Sequence, residues 1–360
     1  MIDKNEIISS LSETTNYLNY KTSIEEYANK LLKLGNFIVY RDSENKLISY
    51  LAYYDNLPEI FISMIWTDQK YRKKGFEKKM IQKLIKSNQK NINLQVHRKN
   101  PALSLYHSLG FRKKSEHSDF IFMERSKQIA IMQPYIFPYI GYFNLIEACD
   151  LFVFYDDVNY IKRGWINRNR ILLNDKDFLF SIPVEKASQN KLIKEIAPKI
   201  TPEFLSKFKS QIESGYKKKS PYYKDIYDLI NLVFSKSYES ISDLAINSIE
   251  QVYKYIDKPF IWVKSSDISP ETKGIDRADR LIAISKKLGF SHYVNSIGGQ
   301  ELYEKEYFNS LGINLNFVKP IPVKYNQKSN TFIPSLSIID ILMFNSPKEV
   351  NKLLCNFEVI

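Results

Sequence analysis

The alternation of apolar and polar positions divides the chain into a first stretch of short mixed elements and a second stretch with a different rhythm. Ile24–Leu34 reads as a helix. Strands are expected near Phe37–Arg41, Leu47–Tyr54 and Ile60–Trp66, where β-branched and aromatic residues alternate. Polar residues around Asp42 and Ser43, and the run Asp55-Asn56-Leu57-Pro58, separate them. A helix is expected over Phe76–Gln89, with Met80, Ile81, Leu84 and Ile85 on one face. Strand Ile92–Val96, helix Pro101–Leu109 and a closing pair of strands ending in Phe120–Glu124 complete a mixed α+β unit.

The pattern then restarts. Charged residues at Arg125 and Lys127 are followed by QIAIMQPYIFPYIGY, which opens a fresh strand and loop. The boundary is therefore expected at residue 126, with domains 1–126 and 127–360. Strand IAIMQ, helix Gly141–Ala148 and strand LFVFYDD form a β-α-β series. That series favours an α/β domain with a mostly parallel sheet, here with a helical extension, and a site at the C-terminal ends of the strands. Downstream, residues 265–303 read as a loop, a helix, a strand and a Gly-Gly turn. There is no tandem repeat and no Pro/Gly/Ser linker.

Composition narrows the function classes. A length of 360 residues fits two domains, and 44% apolar residues suffice for real cores. No apolar run approaches the roughly 18 residues of a membrane span. The start, MIDKNEIISSLSETT, lacks an apolar signal core, so a cytoplasmic protein is expected. Cys149 and Cys355 show neither metal nor disulfide spacing, no metal is expected, and Cys149 reads as a core residue. The net charge is +12, with 21 basic against 14 acidic residues up to Ser126 and 31 against 26 beyond it. Mild positive charge without a basic block suits anionic small molecules such as coenzyme A or sugar nucleotides better than nucleic acid.

Within the first unit, a basic loop follows the strand ending near Trp66, and Gly75 opens a helix. Unpaired N–H groups and the positive end of the dipole make such a start an anion site. Gly75 admits close approach, while Arg72, Lys73 and Lys74 add charge. With LQVHRKNPALSLYHSLGF, this segment resembles the GNAT acetyltransferase family. The first family motif, Arg-x-x-Gly-x-Gly/Ala, corresponds to Arg72-Lys73-Lys74-Gly75-Phe76-Glu77, with Glu77 in place of a small residue. The second corresponds to Asn100, Ala102, Leu105, Tyr106, Gly110 and Phe111. The resemblance implies acetyl-CoA as cofactor, with Ile65 and Trp66 along the pantetheine arm and Tyr71–Glu77, including Phe76, around the pyrophosphate. Asn100 belongs to the same cofactor-binding set, and Tyr106 is the expected proton donor to the leaving thiolate. Glu59 and His97 are the candidate bases, water being the alternative.

In the second unit, Gln133-Pro134 and Asp156-Asp157 fall at expected strand ends. Between residues 162 and 170 come Lys162, Arg163, Trp165, Asn167, Arg168, Asn169 and Arg170, cations and amides suited to a nucleotide or phosphosugar. Trp165 is placed to stack on a base or to anchor the loop. Lys273-Gly274 precedes a helix, and Asn295, Gly298 and Gly299 close a strand-to-loop crossing. MQPYIFPYIGYFNLI, DLFVFYDDVNYIKRGWINRNRI, the turn from Tyr293 to Tyr303 and PSLSIIDILMFN closely resemble the WbqC-like family. That resemblance implies a role in surface-polysaccharide synthesis on nucleotide-linked amino sugars, with glycyl attachment as one form of the chemistry. Tyr139, Gly141 and Tyr142 stand where adenylate-forming HUP-fold enzymes carry His-x-Gly-His, which makes a HUP-like sheet and ATP further candidates.

The reading at this level is a bifunctional enzyme. The first domain acetylates an amine, and the second binds or aminoacylates a sugar nucleotide, with glycine as co-substrate. A non-catalytic sugar-binding second domain, a glycyl donor on tRNA and a first domain retained as scaffold are the alternatives.

Overall fold

A computed structural model of the chain describes residues 2–13, 22–55, 58–88 and 90–360. Asn56 and Leu57 of the expected turn, Gln89 at the expected helix end, and Met1, Thr14 and Thr15 of the N-terminal stretch lie outside the described residues. The chain forms two compact units, Met1–Lys127 and Gln128–Ile360.

The first unit runs α1 (Lys4–Ser12), α2 (Ile24–Leu34), β1 (Asn36–Arg41), β2 (Leu47–Tyr54), β3 (Ile60–Thr67), α3 (Phe76–Ser87), β4 (Ile92–His97), α4 (Leu103–Ser108), β5 (Arg112–His117) and β6 (Phe120–Arg125). Reciprocal capping boxes, Asp3 with Glu6 and Ser23 with Glu26, start α1 and α2. The sheet order is β1-β2-β3-β4-β6-β5. One face buries Met80, Ile81 and Leu84 of α3 against Leu51, Ile62 and Leu94. The other buries Leu31 of α2 and Ile7 of α1 against Tyr50 and Trp66. Each fully buried side chain of this size contributes roughly 1.5–3 kcal/mol.

Only β3 and β4 pair in parallel, and only from Ile60–Ile92 to Ile62–Leu94. Next to that point the β2–β3 register jumps from Ala52–Met64 to Tyr53–Ile62, so Ser63 is a bulge. A bulge bends its strand. The main chain of β3 from Ser63 to Thr67 is thus left without β4 as a ladder partner.

The second unit contains β7 (Gln128–Met132), α5 (Ile140–Glu147), β8 (Leu151–Phe154), β9 (Arg168–Leu173), β10 (Lys176–Ser181), α6 (Pro202–Tyr216), α7 (Tyr223–Phe234), α8 (Ile241–Tyr255), β11 (Trp262–Lys264), α9 (Ser265–Ile268), α10 (Arg277–Lys287), β12 (His292–Ser296), α11 (Lys305–Ser310), β13 (Asn314–Pro320), α12 (Ile338–Phe344), α13 (Pro347–Leu354) and β14 (Phe357–Val359). The main sheet has the order β11-β8-β7-β12-β13-β14. Every neighbouring pair is parallel except β13 with the edge strand β14. The mostly parallel α/β sheet expected from the β-α-β series is present. Strand order reverses between β7 and β12, which opens a crevice at their C-terminal ends. β9 and β10 form a separate ribbon turned by Asn174 and Asp175, both at positive φ, as a two-residue hairpin requires. Among the described residues, no helix is long and apolar enough to cross a membrane.

Candidate functional site

In the first unit, the loop after β3 is held by its own side chains. Arg72 Nε donates to the Thr67 carbonyl at 3.1 Å. The Phe76 ring lies edge-on to Tyr71 at 6.1 Å and to Tyr40 at 5.5 Å. Lys73 and Gly75 both take positive φ, +61° and +84°. Gly75 is the N-cap of α3, and no side chain caps the first-turn N–H groups. A Cβ on Gly75 meets nothing within 4 Å. The helix start therefore presents free donors to open space, with Lys73 and Lys74 beside them, as an anion site requires. Glu77 sits half-buried in that same first turn.

The Trp66 ring is not part of this surface. It is buried against Tyr50 at 6.0 Å, and its Nε1 donates to Glu13 at 3.2 Å. Only the main chain of Ile65 and Trp66 is left for a ligand's amide groups. Asn100 shapes the turn into α4, because its Oδ1 accepts from the Ala102 N–H at 2.9 Å. Gly110, at φ +87°, ends the helix. The Phe111 N–H then donates to the Tyr106 carbonyl, and the two rings meet edge-on at 5.9 Å. Tyr106 is thus fixed and buried. Burial, reinforced by the charge of Glu77, pushes its phenol up to about 12. A phenol so raised stays protonated at neutral pH, the state a proton donor needs.

Glu59 precedes β3, at the opposite end of the strand from the Tyr71–Glu77 loop. Its carboxylate is also engaged by the Asn93 amide and lies 3.8 Å from Lys114. His97 Nδ1 accepts from the Lys99 N–H at 3.1 Å.

The second unit has a cleft of about 710 Å³ at the switch point of its sheet. Gln133 from the end of β7, Tyr155 and Asp157 beyond β8, and Asn295 and Ser296 from β12 line it. Gly298, Gly299 and Tyr303 form one wall, and Lys273, Gly274, Arg277 and Arg280 another. Of the residues expected from the sequence, Gln133, Asp157, Lys273, Asn295, Gly298 and Gly299 come together here. Arg277, Arg280, Tyr155 and Tyr303 were not anticipated. The cationic pair had a signal, since Arg277 and Arg280 lie three apart at the start of the helix that follows Lys273-Gly274.

The adjacent aspartates divide their work. Asp157 lies 2.6 Å from Arg280 in an ion pair whose side chains are 3% and 4% exposed. Its other oxygen accepts from Ser265 Oγ at 2.5 Å. Arg280 also donates to Thr272 Oγ1 at 3.1 Å and lies 4.8 Å over the Tyr155 ring. Asp156 does not line the cleft. It accepts from Ser266 Oγ at 2.8 Å, the Ser266 N–H at 3.1 Å and Ser265 Oγ at 3.2 Å, latching the end of β8 to α9. Burial pushes its carboxyl above the usual range, against the opposing Ser266 hydrogen bonds. Both expected aspartates are thus tied into the scaffold, and of the two only Asp157 reaches the cleft.

The sequence also singled out residues 162–170. Asn167 bridges Tyr160 Oη and the Ile182 carbonyl. Asn169 is buried and donates to the Ile136 and Phe137 carbonyls. Arg168 donates to the Gly164 and Arg163 carbonyls. The Trp165 ring is overlaid by Arg168 at 5.4 Å and Arg170 at 5.8 Å. Lys162 is exposed outside the cleft lining. The two amides serve to fasten the loop to neighbouring segments, and none of these residues lines the cleft. Pro134, Tyr139, Gly141 and Tyr142 do not line it either. Tyr142 is buried between Tyr135 and Phe152, and its hydroxyl donates to the Gln133 carbonyl at 2.8 Å. A Cβ at Gly141 would sit 2.4 Å from the Tyr139 ring, so this glycine makes room for that ring. Cys149 is turned inward, its Sγ donating to the Ile146 carbonyl at 3.3 Å. Among the described residues, no cluster of His, Cys, Asp and Glu is arranged to hold a metal ion.

Comparison with known proteins agrees with this division. Residues 133–352 match the WbqC-like protein family, and residues 8–122 match the acetyltransferase (GNAT) domain. An uncharacterized protein of Mycobacterium tuberculosis is 25% identical over 219 residues, covering 60% of this chain and 93% of its own length. Among solved structures, the ribosomal-protein-S18-alanine N-acetyltransferase of Escherichia coli is similar at 17% identity and TM-score 0.29, over 34% of this chain and 88% of that one. The PaiA N-acetyltransferase of Thermoplasma acidophilum, in complex with coenzyme A, is similar at 18% identity and TM-score 0.29, over 34% and 89%.

Proposed function

The chain belongs to the WbqC-like protein family and its first unit is a GNAT acetyltransferase domain, and from that premise we propose an enzyme that modifies a nucleotide-linked amino sugar for surface polysaccharide. The first unit transfers an acetyl group from acetyl-CoA to an amine. The second binds the sugar nucleotide in the cleft beside β7 and β12. The observation that carries this reading is the uncapped, glycine-led start of α3 beside the unladdered half of β3. Free N–H groups there fit a pyrophosphate, and open main chain fits a pantetheine arm. Acetyl-CoA supplies the thioester. The acceptor amine forms the new C–N bond, the C–S bond breaks, and Tyr106 gives its proton to the departing sulfur while the amine loses its own to water.

Glycyl attachment in the second unit is the bifunctional form of this proposal. A glycyl group would bring a new primary amine for the first unit to acetylate. ATP enters only as the activator of glycine. The Tyr139–Tyr142 turn gives it little purchase, because Tyr142's hydroxyl is engaged by Gln133. A specific observation favours a second reading, in which the second unit only binds. Asp157 is the single carboxylate of the lining, it is paired to Arg280, and no histidine or cysteine joins it.

The test is a mass-spectrometric screen of the purified chain with acetyl-CoA and a panel of nucleotide-linked amino-dideoxysugars, with and without glycine and ATP. The reading predicts gain of one acetyl group on at least one acceptor, abolished in Gly75→Asp. A panel left wholly unchanged overturns it. Gain of a glycyl group separates the bifunctional form from the binding form.

A further inference from the structure

The cleft of the second unit contains a polar group that the fold leaves without a partner. Asn295 is only 5% exposed and stands at the end of β12. Its Oδ1 accepts from the Ser296 N–H at 2.8 Å, which orients the carboxamide and aims its NH2 away from the strand. No hydrogen bond from that NH2 is formed among the described residues. The space is kept for it, because a Cβ on Gly299 would sit 2.6 Å from Asn295 Nδ2. A donor held in place on an otherwise buried side chain, with no protein acceptor, is available to a ligand in the cleft.

Across the same cleft, Lys273 and Arg277 are exposed, and neither has a carboxylate partner among the described residues. Arg277 is the first residue of α10, and the N-cap Asp276 makes no side-chain cap to it. Gly274, at φ +91°, has no atom within 4 Å of where a Cβ would lie. The lining's one acid, Asp157, is neutralised by Arg280. Among the lining residues the unpaired charges are thus both positive, and they share the cleft with the Asn295 amide; the exposed Asp276 carboxylate beside Arg277 lies outside the lining.

We propose that Asn295, Lys273 and Arg277 form a diphosphate subsite, with the first turn of α10 adding main-chain donors. This rests on the reading of the cleft as a sugar-nucleotide site. Two cations and an amide on different elements match an anion with oxygens spread over two phosphorus centres better than a lone carboxylate. The exposed apolar side chains of Ile161, Ile275 and Leu302 in the same lining supply a surface for an uncharged ring.

The experiment is calorimetric titration of the full chain with UDP, uridine and inorganic pyrophosphate. UDP is expected to bind, pyrophosphate to compete with it, and uridine to bind about 100-fold more weakly than UDP. Arg277→Gln, Lys273→Gln and Asn295→Asp should each weaken UDP by about 10- to 100-fold. Asn295→Asp keeps the volume and the Ser296 bond while replacing the donor with a negative acceptor. The two other changes are on exposed side chains and leave the fold intact. Equal binding of UDP and uridine, or full UDP affinity in all three variants, overturns the subsite but not the cleft. If the wild type binds none of UDP, GDP, dTDP, ADP or pyrophosphate, the subsite and the sugar-nucleotide reading fall together.

Discussion

The second unit carries two groups of cations that look alike on paper and differ in the fold. Residues 162–170 contain four cations, none of which lines the cleft: carbonyls take the Arg168 guanidinium, Asp177 pairs with Arg170, Trp165 lies under both, and Lys162 and Arg163 are exposed. Lys273 and Arg277 are fewer, flank an open glycine and keep their charges for something outside the chain. Arg280 stands between these cases, inside the cleft wall but paired to Asp157. Charge density along a sequence measures supply. Availability depends on whether neighbouring carbonyls and carboxylates have already taken it.

The hardest way to break this comparison is to unpair the buried cation. Asp157→Asn strands Arg280 and should lower the stability of the second unit by about 3–5 kcal/mol, read from urea unfolding. Asp156→Asn keeps most of its serine contacts and should cost under about 1 kcal/mol in the same measurement. Equal effects would dissolve the distinction between the two aspartates.

In the first unit, the free donors at the start of α3 are the counterpart of the open cleft. Gly75→Asp puts a carboxylate and a strained φ where the anion should lie, and acetyl-CoA affinity should drop by at least about 100-fold in calorimetry. Tyr106→Phe should lower kcat by roughly 10- to 100-fold with little change in the KM for acetyl-CoA. Because that phenol is raised to about 12, an alkaline fall in rate below pH 10 must come from another group, and the variant should keep it.

Smaller effects sharpen the picture. Burial raises the folded-state pKa of Asp156 above its ordinary 3.8, so the folded unit keeps this proton to higher pH than the unfolded chain does. The stability linked to that group is fully present below about pH 3.8 and declines as pH rises through the raised value. Asp156→Asn should reduce that slope in urea unfolding across pH 3–7. Trp165→Ala should lower stability by roughly 0.5–1 kcal/mol, through loss of its cation contacts, and leave UDP affinity unchanged.

Much of the first unit was legible because its elements are local. β2 runs from Leu47 to Tyr54 as its alternation indicates, and α2 from Ile24 to Leu34. Helix α1 was not read, although its Asp3–Glu6 capping box was a signal in plain sequence. The bulge at Ser63 has no local signature, since it arises from pairing with β2. In the second unit, Lys273, Asn295 and the Gly298-Gly299 turn could each be singled out from the chain, but not their meeting. That depends on β7 pairing with β12 across more than 160 positions. The long helices α6–α8 were foreseen only as an extension. The loop at 162–170 misled because its amides and two of its guanidiniums are taken by carbonyls and a carboxylate of the fold, Asn169 by Ile136 and Phe137, Asn167 by Ile182 and Arg170 by Asp177.

The central claim is that ligand binding in the second unit uses the free cations at the switch point and not the dense loop. Hydrogen–deuterium exchange of the full chain with and without saturating UDP tests it most directly. The account predicts slowed exchange in the segments around Lys273–Arg280 and Asn295–Tyr303, with Lys162–Arg170 unchanged. Protection confined to Lys162–Arg170, or absent from all three segments, would contradict it.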